Sequence, residues 1–246
     1  MRADREIIIE RNATQLAKRG AQIFSQTAKE SVNRHGRFAV ALSGGSTPRP
    51  MHRLLSEEPY VSEIAWHKIH IFWTDERLVP FEYPDSNFGA ARKDFLEKVP
   101  IPPDHIHPMP VSCLPEQGAA LYQEELEEFF QRFGGNNPAF DLIFLGIGED
   151  GHTASLFPAQ EALQEKKRWV VAVKGGNPDV HRLTMTCPLI NHARQVVFLV
   201  SGRQKAEILE SISEKRQLRL PAQKIQPLGG KLTWLVDQDA ASLLVV

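Results

Sequence analysis

An α/β fold, built on a doubly wound, mainly parallel sheet with helices on both faces, is predicted by two patterns in the 246-residue sequence. Short β-rich apolar runs alternate with helical periodicity almost from end to end, the order that builds strand–helix–strand units. Two runs, Phe38 to Leu42 and Leu142 to Leu145, are apolar at every position, as parallel strands covered on both faces must be. Apolar residues make up 42% of the chain and charged residues 24%, ordinary values for a globular protein. The Pro-rich stretches 100–110 and 175–178 are too short and too little biased for a flexible linker. One domain spanning 1–246 is therefore expected.

The first strand is expected at 6–9, where Ile7, Ile8 and Ile9 are flanked by Glu6 and Glu10. Asn12 then opens a helix, with Gln15 as capping-box partner and Ala17, Ala21, Phe24 and Ala28 along one face. It stops near His35-Gly36, strand 37–42 follows, and another helix starts near Pro48. Strand 68–73 precedes Asp85-Ser86-Asn87, which reads as a helix cap. A longer helix starts near Pro115 and repeats Tyr122, Leu126, Phe129 and Phe133, with Gly134-Gly135 to supply a left-handed end and a Glu-rich face toward solvent. Strands at 140–145, 169–174, 183–186, 196–200 and 232–236 complete the series.

Charge narrows the partners. Lys and Arg number 29 against 30 Asp and Glu, a formal net charge of −1, whereas nucleic acid or an anionic membrane calls for a surplus of cations. No apolar run approaches the roughly 20 residues that cross a bilayer, and the amino terminus lacks the apolar stretch and small-residue cleavage site of a secretory signal, so a cytoplasmic location is expected. Cys113 and Cys187 fit neither a disulfide framework nor a zinc spacing and are expected to be buried or inert thiols.

Ligands of such sheets gather past the carboxyl ends of the strands, and five junctions there are unusual. Ser43-Gly44-Gly45-Ser46-Thr47-Pro48 crowds backbone amides and two hydroxyls at a strand-to-helix turn. It suits a phosphate; a plain turn with a Ser or Thr cap satisfies the same pattern. Trp73-Thr74-Asp75-Glu76-Arg77 places two carboxylates and a guanidinium after a central strand, and Arg77 is suited to a phosphoryl group. Gly146-Ile147-Gly148-Glu149-Asp150-Gly151 matches a dinucleotide fingerprint by spacing. Glu149 and Asp150 would repel a pyrophosphate, and Lys174 stands where a ribose-binding acid belongs. The same turn presents Asp150 and His152, and an imidazole with an ordinary pKa of roughly 6.5 can serve as a base near neutrality. Arg182, entering strand 183–186, and Lys205, after strand 196–200, add cations fit for an anionic small molecule, although exposed Arg and Lys are common anyway. His105 and His107 suggest a metal pair by spacing, but no carboxylate or Cys is placed to complete a site with them, so no metal is expected.

Taken together, these segments resemble the 6-phosphogluconolactonases, within the larger group that includes glucosamine-6-phosphate deaminase. The likeness covers most of the chain. It rests on Leu42-Ser43-Gly44-Gly45-Ser46-Thr47-Pro48, on Trp73-Thr74-Asp75-Glu76-Arg77-Leu78-Val79-Pro80 with Ser86-Asn87, and above all on Leu145-Gly146-Ile147-Gly148-Glu149-Asp150-Gly151-His152-Thr153-Ala154-Ser155-Leu156-Phe157-Pro158. Arg182-Leu183-Thr184 and Ser201-Gly202 through Lys205 complete it, while Gly176-Asn177-Pro178 departs from relatives that often carry a Lys and paired prolines.

The resemblance implies a Rossmann-like sheet and hydrolysis of 6-phosphogluconolactone to 6-phosphogluconate in the oxidative pentose phosphate pathway, without metal or organic cofactor, by a monomer or weak homo-oligomer. His152 would be the general base. Asp150 and Asp75 would orient polar groups, Gly44, Gly45, Ser46, Arg77 and Lys205 would hold the phosphate, and Arg182 would help with phosphate or oxyanion. Three rivals stand beside this reading. An amino-sugar-phosphate deaminase and isomerase would want a carboxylate where Phe157 stands, a serine esterase would want a Gly-x-Ser-x-Gly elbow, and a sugar-phosphate sensor would want an added partner-binding region.

Overall fold

The computed structural model describes residues 4–133, 139–213 and 220–244. Its main sheet holds β1 (Asp4–Glu10), β2 (Phe38–Leu42), β3 (Ile69–Trp73), β5 (Ile106–His107), β6 (Leu142–Leu145), β9 (Gln195–Val200) and β10 (Lys231–Asp237), while β4 (Asp75–Arg77), β7 (Val170–Gly175) and β8 (Val180–Met185) form a second sheet. The helices are α1 (Ala13–His35), α2 (Arg49–Leu55), α3 (Tyr60–Glu63), α4 (Asn87–Asp94), α5 (Pro115–Arg132), α6 (Cys187–Ile190) and α7 (Ala206–Ser213). Main-sheet order is β1-β10-β9-β6-β2-β3-β5, and every neighbouring pair is parallel.

Helices cover both faces. Phe24 of α1 packs edge-on against Phe38 of β2, with centroids 5.3 Å apart, and Phe129 of α5 packs against Phe72 of β3 at 4.9 Å. Phe72 is in register with Ala41, three residues beyond Phe38, and side chains alternate along a strand, so the two helices lie on opposite sides. The expected α1 face is buried, and Asn12 caps the helix by accepting from the Gln15 N–H at 3.0 Å. The Gln15 side chain makes no bond back. Gly36, at φ 83°, closes α1 with its N–H on Val32.

In α5, Tyr122, Leu126 and Phe129 are buried, but Phe133 at its end is 38% exposed. The Arg37 guanidinium, 4.4 Å from that ring, covers it in place of core. The expected Gly134-Gly135 end lies outside the described residues.

Runs 169–174 and 183–186 do not join the parallel sheet. Only four residues separate β7 from β8, too few for a parallel crossover, so they form an antiparallel hairpin to which β4 adds. Arg182 therefore sits inside β8 rather than ahead of a strand. Strands β4 and β5, of three and two residues, are too short to leave a pattern in the sequence. No helix among the described residues is long and apolar enough to cross a membrane.

Candidate active site

Strand order diverges between β2 and β6, one half running out through β3 and the other through β9 and β10. A crevice opens past the carboxyl ends of strands at such a point, and a cleft of about 300 Å³ lies there. Gly44, Gly45, Ser46, Asp75, Arg77, His152, Arg182 and Lys205 all line it. Asp150 does not; it stands behind His152.

The β2 loop shows why two glycines are needed. A Cβ on Gly44 would fall 1.7 Å from Asn87 Oδ1, and Gly45 adopts φ 92°, a region side chains resist. The N–H groups of Gly44, Gly45 and Ser46 donate to no acceptor among the described residues, which leaves three donors on the cleft wall for an anion. Ser43 is different. Its hydroxyl donates to the Phe144 carbonyl at 2.9 Å and pairs with Thr74 Oγ1 at 2.6 Å, so it ties β2 to β6 and is no free nucleophile.

Cations gather on the second sheet. Arg77 of β4 and Arg182 of β8 stand opposite one another in register. Arg77 Nη1 donates to the Asp85 carbonyl at 2.5 Å and to Asn87 Oδ1 at 3.1 Å, while its buried Nε has no partner among the described residues. Arg182 is held by Nε on the Gly175 carbonyl at 2.8 Å and Nη2 on the Pro178 carbonyl at 3.3 Å. Burial, and after it repulsion from Arg77, lowers the Arg182 pKa, with Asp75, Asp85 and Glu76 pulling the other way. Lys205 comes from a short 3₁₀ turn after β9. Buried Asp237 fixes the start of that turn by accepting from the Ser201 hydroxyl and the Gly202 N–H.

Past β6 the chain makes a tight turn, not the helix a dinucleotide fingerprint needs. Gly148 N–H donates to the His152 carbonyl at 2.9 Å, Gly151 N–H returns to Gly148, and the Thr153 hydroxyl donates to the Gly146 carbonyl at 2.8 Å. Asp150 Oδ1 lies 2.5 Å from His152 Nδ1 and also accepts from the His152 backbone N–H at 3.1 Å. Burial raises the Asp150 carboxyl pKa, but this hydrogen bond and the His152 charge outweigh it and hold the group below its ordinary value. An ionised Asp150 accepts a hydrogen bond from Nδ1–H, which holds that tautomer and leaves the Nε2 lone pair to act as base. Phe157 lies beside both the His152 ring, at 4.8 Å, and the Arg182 guanidinium, at 5.7 Å.

Asp75 is buried, with Oδ2 accepting from the Ser155 hydroxyl at 2.7 Å and Oδ1 from Thr74 Oγ1 at 3.3 Å. It thereby links the β3–β4 corner to the His152 loop.

Several residues here escaped the sequence reading. Asn87, part of the Asp85-Ser86-Asn87 segment expected to cap a helix, lines the cleft; its position after Ser86 in the resembling motif was the available signal. Within that segment Ser86 caps α4 as expected, accepting from the Gly89 N–H at 2.9 Å. Gly148 is the void that the imidazole fills, since a Cβ there would meet His152 Nδ1 at 2.1 Å.

The His105 and His107 pair gains neighbours that spacing does not reveal. His107 Nδ1 lies 2.7 Å from Glu125 Oε1, and its Nε2 lies 3.2 Å from His70 Nδ1. Among the described residues, no three or more His, Cys, Asp or Glu side chains converge as metal ligands. Cys113 and Cys187 are free and half-buried.

The profile of the family described as glucosamine-6-phosphate isomerases/6-phosphogluconolactonase matches residues 11–234. The 6-phosphogluconolactonase of Synechocystis sp. is 46% identical over 233 residues, covering 93% of this chain and 94% of that protein. That of Rattus norvegicus is 38% identical, covering 92% and 88%. Among solved structures, the 6-phosphogluconolactonase of Trypanosoma brucei superimposes with a TM-score of 0.87 at 27% identity, covering 99% and 100%. A monomeric glucosamine-6-phosphate deaminase shares the fold, with a TM-score of 0.83 at 21% identity. The chain belongs to the glucosamine-6-phosphate isomerase/6-phosphogluconolactonase family.

Proposed function

We propose that the cleft hydrolyses 6-phosphogluconolactone to 6-phosphogluconate, the lactone-opening step of the oxidative pentose phosphate pathway, with His152 as general base. The observation that carries this reading is the His152–Asp150 pair, which leaves Nε2 as a base on the same cleft that Arg77, Arg182 and Lys205 make cationic. The amides of Gly44, Gly45 and Ser46, with Arg77 and Lys205, hold the phosphate. Binding at that remote end sets the carbonyl against the base, which makes an otherwise bimolecular attack effectively unimolecular.

His152 Nε2 removes a proton from water as its oxygen bonds to the lactone carbonyl carbon, and Arg182 stabilises the oxyanion. Collapse of that intermediate breaks the bond to the ring oxygen, which receives the proton from His152. The product is a carboxylic acid, which releases its remaining proton to solvent to become the carboxylate, and a hydroxyl, with no covalent enzyme intermediate. Asp150 and Asp75 act as orienting groups, and the chain works as a single domain, a cytoplasmic monomer or weak homo-oligomer needing no metal or organic cofactor. Phe157, an uncharged ring beside His152, supplies no carboxylate for amino-sugar ring opening, which favours lactone hydrolysis over deamination.

A coupled assay at mildly acidic pH, where spontaneous opening is slow, tests the reading directly. His152→Ala is expected to lose about 10²- to 10⁴-fold in turnover while phosphate competition is retained. Turnover equal to wild type in that variant, or ammonia release from glucosamine 6-phosphate by the wild type, would refute it.

A further inference from the structure

Glu76 is a fully buried carboxylate that the proposed chemistry leaves unused. It lies between Asp75 and Arg77 on β4, and because side chains alternate along a strand it points away from the cleft, toward the start of α4. Its Oε1 accepts from the N–H groups of Arg77 and Asn87, each at 2.8 Å. Its Oε2 accepts from the Phe88 N–H at 2.7 Å and the Ser86 hydroxyl at 3.0 Å.

Capping alone does not call for this carboxylate, since Ser86 already caps α4, and burying a charge costs several kcal/mol. What the four bonds also do is fix Asn87 and the Arg77 backbone. The Asn87 amide accepts from Arg77 Nη1 at 3.1 Å and donates to the Asp75 carbonyl at 2.8 Å, and its oxygen fills the space that a Gly44 side chain would need. The glycine loop, the guanidinium and the Asp75 corner thus meet at one amide.

We propose that Glu76 is a positioning residue for anion binding, setting the Arg77 guanidinium and the room above Gly44 through Asn87. The assignment rests on the proposed reaction only in taking the anion to be the phosphate of a sugar.

The test measures binding of 6-phosphogluconate and of inorganic phosphate by calorimetry at pH 8, where the Glu76 carboxyl is ionised, beside lactone KM and kcat. In Glu76→Gln one oxygen replaces two, and the new amide N–H group faces donors. Kd for both anions is expected to rise about tenfold, the worth of a charge-assisted hydrogen bond, with KM following and kcat falling far less. Asn87→Ala is expected to show a similar loss, and the double variant to bind no more weakly than Asn87→Ala alone, as residues on one path do.

Losses that multiply, a Kd within about twofold of wild type, or a fall in kcat at unchanged Kd would overturn the assignment. If the Gln variant does not fold, Ser86→Ala removes one donor, and a rise in Kd of about threefold is then expected, with an unchanged Kd as the refutation. The inorganic phosphate arm needs no turnover. Glu76-dependent phosphate binding by a chain that opens no lactone would sink the proposed reaction and leave this assignment standing.

Discussion

Gly148→Ala adds one methyl group at the point where the candidate base is seated. The new Cβ would lie 2.1 Å from His152 Nδ1, 2.2 Å from Cε1 and 2.7 Å from Asp150 Oδ1, whereas carbon atoms rest at about 3.5 Å from their neighbours. The imidazole must therefore retreat by roughly 1 Å or more, which stretches the 2.5 Å bond to Asp150 toward about 3.5 Å, where it ceases to hold. Control of the tautomer goes with it. Misplacing a reacting group by about 1 Å costs on the order of 10²-fold, and a general base contributes about 10²- to 10⁴-fold in all. Turnover is accordingly expected to fall about 10²- to 10³-fold, or about 3 to 4 kcal/mol of barrier. Gly148 is not among the residues with positive φ, so alanine fits its backbone and folding is expected to survive. Background-corrected lactone opening gives kcat, and calorimetry with inorganic phosphate gives the affinity of the anion grip, expected to hold. Unchanged kcat would refute the seating argument, and so would a further loss when Gly148→Ala is added to His152→Ala.

Gly44→Ala drives a Cβ to 1.7 Å from Asn87 Oδ1; phosphate affinity is expected to drop by about tenfold or more, and calorimetry showing wild-type affinity would contradict the role given to that loop. Stability should carry a signature of Glu76, whose carboxyl pKa burial pushes from 4.5 up to about 7, with Asp75 adding to the rise and backbone bonds from Phe88, Asn87 and Arg77 resisting it. Between those values the folded chain keeps a proton that the unfolded chain has released. The Glu76 contribution is thus most favourable below 4.5 and is lost as pH rises through about 7, a swing on the order of 3 kcal/mol. Urea unfolding of wild type and Glu76→Gln at pH 5 and pH 7.5 reads this, and an equal difference at both pH values would rule it out. Phe24→Ala opens a void against Phe38 and Trp66 and is expected to cost about 3 to 5 kcal/mol in the same measurement.

Sequence patterning was most legible where one physical demand dominates. A strand buried on both faces has to be apolar throughout, and β2 and β6 are; α1 buries one stripe, and Ala17, Ala21, Phe24 and Ala28 mark it. The glycine turn and the Asp-Gly-His turn were visible because each must depart from regular geometry. Asn87 was hidden for the opposite reason, since a polar residue at a helix start satisfies local chemistry and its contacts with Gly44 and Arg77 arise only once distant segments meet. The three-residue β4 has no period of its own, so the facing of Arg77 and Arg182 could not be read. Phe133 kept the helical spacing of its predecessors, but periodicity does not show that a guanidinium, not the core, covers its ring.

The facing arginines make buffer composition a variable of stability. Two like charges fixed across a backbone ladder repel unless an anion lies between them, and the ladder prevents them from drifting apart. Any multivalent oxyanion that settles there is therefore rewarded twice, once by attraction and once by relief of that repulsion. Thermal melting points taken in phosphate or sulfate should exceed those in chloride at equal ionic strength, although a net charge of −1 gives the protein as a whole little reason to favour anions. Purification in phosphate would then occupy the very place where substrate must arrive.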